Sequence, residues 1–167
     1  MKQSERTKRV TLCGLLLAVM LLLGYLESML PAVSAVPGIK LGLSNSVLIF
    51  AVYLLDIPTA YALMVLKVVL SGALFGGVST MMYGLAGGLL SLTAMVLLSR
   101  VKGLHPVTVS MAGGVMHNAG QVLLAVFLLH TGSLLYYMAI LIFSGLACGA
   151  LTGIAADRVM KLWKKRG

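Results

Sequence analysis

Residues 10–31 read VTLCGLLLAVMLLLGYLESMLP, and four basic residues, Lys2, Arg6, Lys8 and Arg9, stand just ahead of them. An apolar run of about 20 residues is the length a helix needs to cross a hydrocarbon core about 30 Å thick. Pro31 ends the run, because proline cannot continue a helix. A basic lead before an apolar run also describes a secretory signal, and Ala32-Val33-Ser34-Ala35 resembles a small-residue cleavage site. The run from Val10 to Leu30 is nevertheless long enough to span, and more apolar runs follow it. It is therefore read as a retained first membrane helix. Cys13 precedes most of the run instead of following it, unlike a lipoprotein cysteine.

The rest of the chain agrees with this reading. Of its 167 residues 60% are hydrophobic and 10% charged, with a mean hydropathy of +1.04. A soluble domain carries about 25% charged residues, so lipid suits this surface better than water. Eleven of the 13 lysines and arginines behind the net charge of +9 gather in three places. Lys2 to Arg9 hold the N-terminus, Arg100 and Lys102 one internal loop, and Arg158, Lys161, Lys164, Lys165 and Arg166 the C-terminus. Lysine and arginine mark cytoplasmic ends in this way under the positive-inside rule, which argues against nucleic-acid binding. Cys13 and Cys148 lie in apolar runs without ligand spacing and read as buried free thiols.

Six spans follow from the breakers: about Val10–Leu30, Leu43–Leu55, Pro58–Leu74, Met81–Ser99, Pro106–Leu129 and Leu134–Ala156. The second covers only about 20 Å at 1.5 Å per residue, short of a full crossing. Pro31–Gly42, Phe75–Thr80 and His130–Ser133 become the outer connections, with Pro37-Gly38 as a turn signal. The basic segments then fall inside and only Lys40 outside. The fold expected is an all-α integral membrane bundle of six helices with both termini cytoplasmic. It has a basic N-terminus over residues 1–9, one membrane domain over 10–156 and a basic tail over 157–167. Gly84 and Gly88, and Gly145, Gly149 and Gly153, repeat at the spacing that lets helix backbones approach in lipid.

Polar residues at bilayer depth are the candidate functional groups, because such groups are costly there and face the bundle interior. They are Glu27 near the outer end of the first span, Asn45 at the start of the second, Lys67 in the third, and His117, Asn118 and Gln121 in the fifth. Lys67 and Ser71 share one helix face, as do Gly113, His117 and Gln121. With Lys40 they converge on the outer half. Glu27 is nine residues past Ala18, half a rotation, so it points away from the Gly14/Ala18 face. Each has a plainer reading as well: Lys67 as an ion-pair partner of Glu27 or a snorkelling lysine, Glu27 as a wetted interfacial group, Lys40 as a solvated loop residue, and His117, Asn118 and Gln121 as interhelical glue. One histidine without a second ligand at the right spacing makes no metal site, and no cofactor motif is present.

Four ordered stretches carry a family resemblance: Glu27-Ser28-Met29-Leu30-Pro31, Pro37-Gly38-Ile39-Lys40-Leu41-Gly42-Leu43-Ser44-Asn45, Leu85-Ala86-Gly87-Gly88-Leu89-Leu90-Ser91-Leu92 and His117-Asn118-Ala119-Gly120-Gln121. Together they resemble the Gx transporter family, whose members are often labelled heptaprenyl diphosphate synthase component I. That family is similar to the substrate-binding S components of energy-coupling-factor (ECF) transporters. The resemblance implies a six-helix protein of the prokaryotic plasma membrane that captures a small molecule from outside. It also implies a coupling protein docked on small residues of the first helix, matched here by Gly14 and Ala18, and two partner ATPases. The alternative label implies an accessory subunit beside a prenyl diphosphate synthase catalytic subunit.

Chemistry separates these roles from catalysis. Prenyl diphosphate synthases hold magnesium on aspartate-rich motifs, and the acidic residues here are Glu5, Glu27, Asp56 and Asp157, all far apart. No nucleotide-binding glycine loop ending in Lys-Ser or Lys-Thr is present. The chain is read as a binding subunit and not an enzyme. Its expected substrate-binding residues are Glu27, Lys40, Asn45, Lys67, Ser71, His117, Asn118 and Gln121, with the Pro31–Asn45 segment as a lid.

Overall fold

The structure, a computed structural model, describes residues 3–29 and 40–166. The cleavage-like Ala32–Ala35 stretch, the Pro37-Gly38 turn and most of the expected lid lie outside the described residues. Within them the chain is helical throughout: α1 (Gln3–Met29), α2 (Leu43–Ser46), α3 (Leu48–Leu54), α4 (Ile57–Ser71), a π-helical turn (Gly72–Gly76), α5 (Gly77–Ser99), α6 (Pro106–Leu129), a 3-10 segment (Gly132–Tyr137) and α7 (Met138–Arg166). Four segments are long and apolar enough to cross a membrane: Gln3–Met29, Ile57–Ser99, Pro106–Leu129 and Gly132–Leu162. Leu43–Leu54 is a shorter apolar stretch, broken at Val47.

Ile57–Ser99 is 43 residues long, about 65 Å if straight, twice a hydrocarbon core. It is not straight. Gly84 faces the Val68 side chain and Gly88 faces Met64 Sδ, while the hydroxyls of Tyr61 and Thr93 meet at 2.7 Å. Those pairings run antiparallel, so α4 and α5 form a hairpin. The reversal falls at Gly77, whose φ of +70° is a conformation that favours glycine. The sequence reading placed a turn over Phe75–Thr80; helix in fact resumes at Gly77, so Val78, Ser79 and Thr80 belong to α5. The helix also begins earlier and ends later than the apolar runs suggest. α1 starts at Gln3 and α7 continues to Arg166, so both basic ends are helical.

Close glycine contacts hold α6 against α7. A Cβ on Gly145 would sit 2.7 Å from the Gly114 backbone, one on Gly149 would sit 2.6 Å from Met111 Cα, and one on Gly153 would sit 2.7 Å from Val107 Cα. This is the packing that small residues at four-residue spacing permit. The buried core joins Leu16 and Met20 of α1 to Leu48, Ile49 and Ala51 of α3, Met64 of α4, Leu92 and Met95 of α5 and Val109 of α6. The outward face is apolar: Val78, Phe127 and Phe143 are 72%, 73% and 74% exposed. Burying such side chains stabilises by about 25 cal/mol per Å², and lipid supplies that burial. This face and the four long apolar helices are those of a chain built to cross a membrane several times, by length and composition.

Polar ties gather at one end of the bundle. Arg9 Nη2 donates to Asp56 Oδ1 and Thr59 Oγ1, joining the base of α1 to the α3–α4 corner. Asp56 also caps α4, accepting from Thr59 N–H at 3.2 Å. His105, at the start of α6, lies 3.7 Å from Asp157 of α7, which also accepts from Lys161 at 2.6 Å. Asp56→Ala removes a cap and an ion pair together. The cap is worth about 0.5–2 kcal/mol and the half-exposed pair less than about 1 kcal/mol. Thermal unfolding in detergent should show Asp56→Ala destabilised and Arg9→Ala changed much less; equal losses would place the energy in the ion pair.

Candidate functional site

The helical phase of α1 sets the site. Leu16, Met20, Gly24 and Glu27 are buried along one stripe, while Gly14 and Ala18 are exposed. A Cβ on Gly14 would meet nothing within 4 Å, so the expected docking face is open. Glu27 points inward, and its two oxygens accept from the first backbone N–H groups of α2, Leu43 at 2.7 Å and Ser44 at 3.3 Å. A carboxylate suits a helix start, where N–H groups lack intrahelical partners. Gly42 precedes α2 at φ +87°, and a Cβ there would fall 2.7 Å from His117 Cδ2.

From α2 a buried polar chain crosses the bundle. Asn45 Oδ1 accepts from Lys67 Nζ at 3.1 Å, and Asn45 Nδ2 lies 2.9 Å from His117 Nδ1. His117 Nε2 meets Gln121 Nε2 one turn along α6. Gln121 then pairs with the Lys40 backbone through both amide atoms, accepting from Lys40 N–H at 2.8 Å and donating to Lys40 C=O at 3.3 Å. The amide orientations follow from their partners. An ammonium only donates, so Asn45 turns its carbonyl to Lys67 and its NH2 to the ring; the Lys40 backbone orients Gln121 in the same way. The imidazole thus meets an NH2 group at each nitrogen. A neutral ring accepts at one nitrogen only, so its own N–H finds no acceptor in these two amides.

A small cavity of about 20 Å³ opens beside this chain, lined by Glu27, Lys40, Ser44, Lys67, Val68, Ser71, Thr80, Gly84, His117 and Gln121. That is room for about one water. Lys40 Nζ is buried with no hydrogen-bond partner among the described residues. It lies 5.2 Å from the Phe75 ring centroid, and Phe75 packs edge-on against Tyr25 at 5.8 Å. Among the described residues no ion pair joins Glu27 to Lys67. Lys67 is held by an amide instead.

Six of the eight expected residues line the cavity: Glu27, Lys40, Lys67, Ser71, His117 and Gln121. Asn45 supports two of them from behind. Asn118 does not join. It is one residue past His117, a rotation of about 100°, and its NH2 donates to Leu141 C=O and to Ser144 Oγ at 3.1 Å on α7. Asn118 therefore binds helix to helix. Asn118→Ala should lower stability by about 1–3 kcal/mol while the cavity and its binding properties persist; loss of binding without loss of stability would contradict this placement. Sequence reasoning missed Val68, Thr80 and Gly84, and had Ser44 only as part of the Pro37–Asn45 segment. Thr80 was hidden in the supposed turn. Gly84 was read as packing alone, and it does face Val68 at 3.2 Å while also bordering the cavity.

The family described as heptaprenyl diphosphate synthase component I matches residues 16–159. The chain belongs to that family. The span matching heptaprenyl diphosphate synthase component I runs from α1 to α7 and contains every residue that lines the cavity. Gly14 falls just outside it. No curated protein and no solved structure gives a significant match to the chain.

Proposed function

We propose that this protein is the substrate-binding subunit of a small-molecule transporter, similar to an ECF S component, in the plasma membrane of a prokaryote. The observation that carries the reading is the cavity. Side chains from α1, the segment before α2, α4 and α6 meet at one end of an apolar bundle, where buried polar groups are costly without a task. Eight of the ten lining residues are polar, and convergent polar groups are what orient a ligand in a small-molecule site. Counting Leu43–Leu54 as one crossing and the α4–α5 hairpin as two gives six spans. The basic residues Arg9, Arg100, Lys102, Arg158 and Lys161 then lie at the end opposite the cavity. Positive-inside topology places that end in the cytoplasm and the cavity toward the outside. A ligand larger than a few atoms needs the lining side chains to part, since ligand pockets occupy about 300 Å³ or more. The open Gly14/Ala18 face of α1 is the proposed contact for a coupling protein whose partner ATPases drive the cycle.

The family description favours a second reading, a membrane accessory subunit of heptaprenyl diphosphate synthase partnered by a prenyl diphosphate synthase catalytic subunit. With four scattered acidic residues and no aspartate-rich motif, the chain serves there as a non-catalytic component. Gentle purification separates the two. Co-isolation with a coupling protein and ATPases is expected; co-isolation with a prenyl diphosphate synthase in their place would transfer the assignment to the second reading. Within the first, Lys67→Ala and His117→Ala should leave the protein monodisperse in detergent and abolish ligand binding. Retained affinity in both would remove the cavity from the function.

A further inference from the structure

We propose that the ligand of this cavity carries an oxyanion, a carboxylate or a phosphate, held between Lys40 and Lys67. The inference rests on the reading of the cavity as a substrate site and adds the chemical class. Two observations support it independently. The first is charge. Two ammonium groups and one carboxylate line the cavity, and both oxygens of that carboxylate, Glu27, are engaged by the start of α2. In surroundings of low dielectric a surplus positive charge favours an anion strongly.

The second observation is the balance of donors and acceptors. Lys40 Nζ is buried and makes no hydrogen bond among the described residues. Lys67 donates to Asn45 Oδ1 and has further N–H groups to give. His117 stands between two amide NH2 groups. Lys40 and Lys67 thus bring to the cavity N–H groups with no acceptor among the described residues, and buried donors without partners are costly. A neutral carbonyl would satisfy one or two of them. An oxyanion satisfies more of them and also balances the charge, in the charge-assisted bonds that are the strongest of their kind. Lys40 reaches the site from a non-helical segment over the Phe75 ring, on a flexible stem that can follow the anion as it enters.

The test uses the full-length protein in nanodiscs, with sodium acetate, inorganic phosphate and the neutral acetate analogue acetamide as probes, at ionic strength fixed with chloride. Acetate or phosphate at tens of millimolar should raise the unfolding temperature by about 2–4 °C, and acetamide should not. An acetate response assigns a carboxylate; a phosphate response assigns a phosphate. The shift should vanish in Lys67→Gln, which can still donate to Asn45, and in Lys40→Gln, which loses no hydrogen bond. Should Lys67→Gln fail to fold, Lys40→Gln alone decides. An equal shift with acetamide, no shift with either oxyanion, or a shift retained in both variants would overturn the proposal. Native mass spectrometry separates this failure from that of the transport reading. A neutral ligand on the wild type that is lost in His117→Ala would overturn the oxyanion and keep the binding subunit. An oxyanion response in protein that co-isolates with a prenyl diphosphate synthase would keep the oxyanion and overturn transport.

Discussion

Gly114→Val should abolish folding of the bundle. Gly114 lies at the closest approach of α6 and α7, where the atom in the way is the Gly145 backbone itself. A flexible side chain can move aside; a helix backbone cannot without displacing its neighbours. Overpacking a well-packed interior typically costs about 1–3 kcal/mol, and a backbone clash belongs above that range. The cost spreads because Gly149 and Gly153 depend on the same helix separation. Size-exclusion profiles in mild detergent should show aggregated or absent protein for Gly114→Val. The control is Gly14→Val, where a Cβ meets nothing within 4 Å, and it should elute as wild type. A monodisperse Gly114→Val would mean that α6 and α7 do not pack through these glycines.

Gly42→Val should have the largest effect on the site. Gly42 sits at φ +87°, a conformation that costs an L-residue about 1–2 kcal/mol and a β-branched one more. Its Cβ would also strike the His117 ring. Moving that ring breaks its contacts with Asn45 and Gln121 together, and through them the placement of Lys67 and Lys40. Stability should fall by about 2–4 kcal/mol, and ligand affinity should be lost even where the protein still folds at low temperature. Gly103→Val provides the comparison. Gly103 also has positive φ, +84°, but open surroundings, so it should lose stability without losing binding. Equal loss of binding in both variants would show a general destabilisation with no specific role for the His117 contact.

Much of this was legible in the sequence because it depends on local periodicity. The inward direction of Glu27 follows from counting residues from Ala18. The pairing of Lys67 with Ser71, and of His117 with Gln121, follows from one helical turn. The same counting places Asn118 about 100° from His117, so its absence from the cavity was available from phase alone. The shortness of Leu43–Leu54 follows from its length. Other features depend on contacts far apart along the chain. Gln121 binds the backbone of Lys40, 81 residues away, and no pattern within either segment announces it. Glu27 borders the cavity, and its bonds to the Leu43 and Ser44 N–H groups of α2 are another such contact. The reversal at Gly77 depends on a single backbone angle in a Gly-Gly pair, which composition locates only to within a few residues. Hydropathy finds where lipid begins and ends but not where a helix does, which is why α1 and α7 run beyond the apolar limits into their basic ends.

The central claim is that the cavity bounded by Lys40, Lys67, His117 and Gln121 holds a small molecule. Native mass spectrometry of the full-length protein, released gently from its membrane, tests this most directly. The account predicts a single small-molecule adduct on the wild type that is absent from folded Lys67→Ala. A wild type that flies bare, or an adduct that survives in Lys67→Ala, would contradict it.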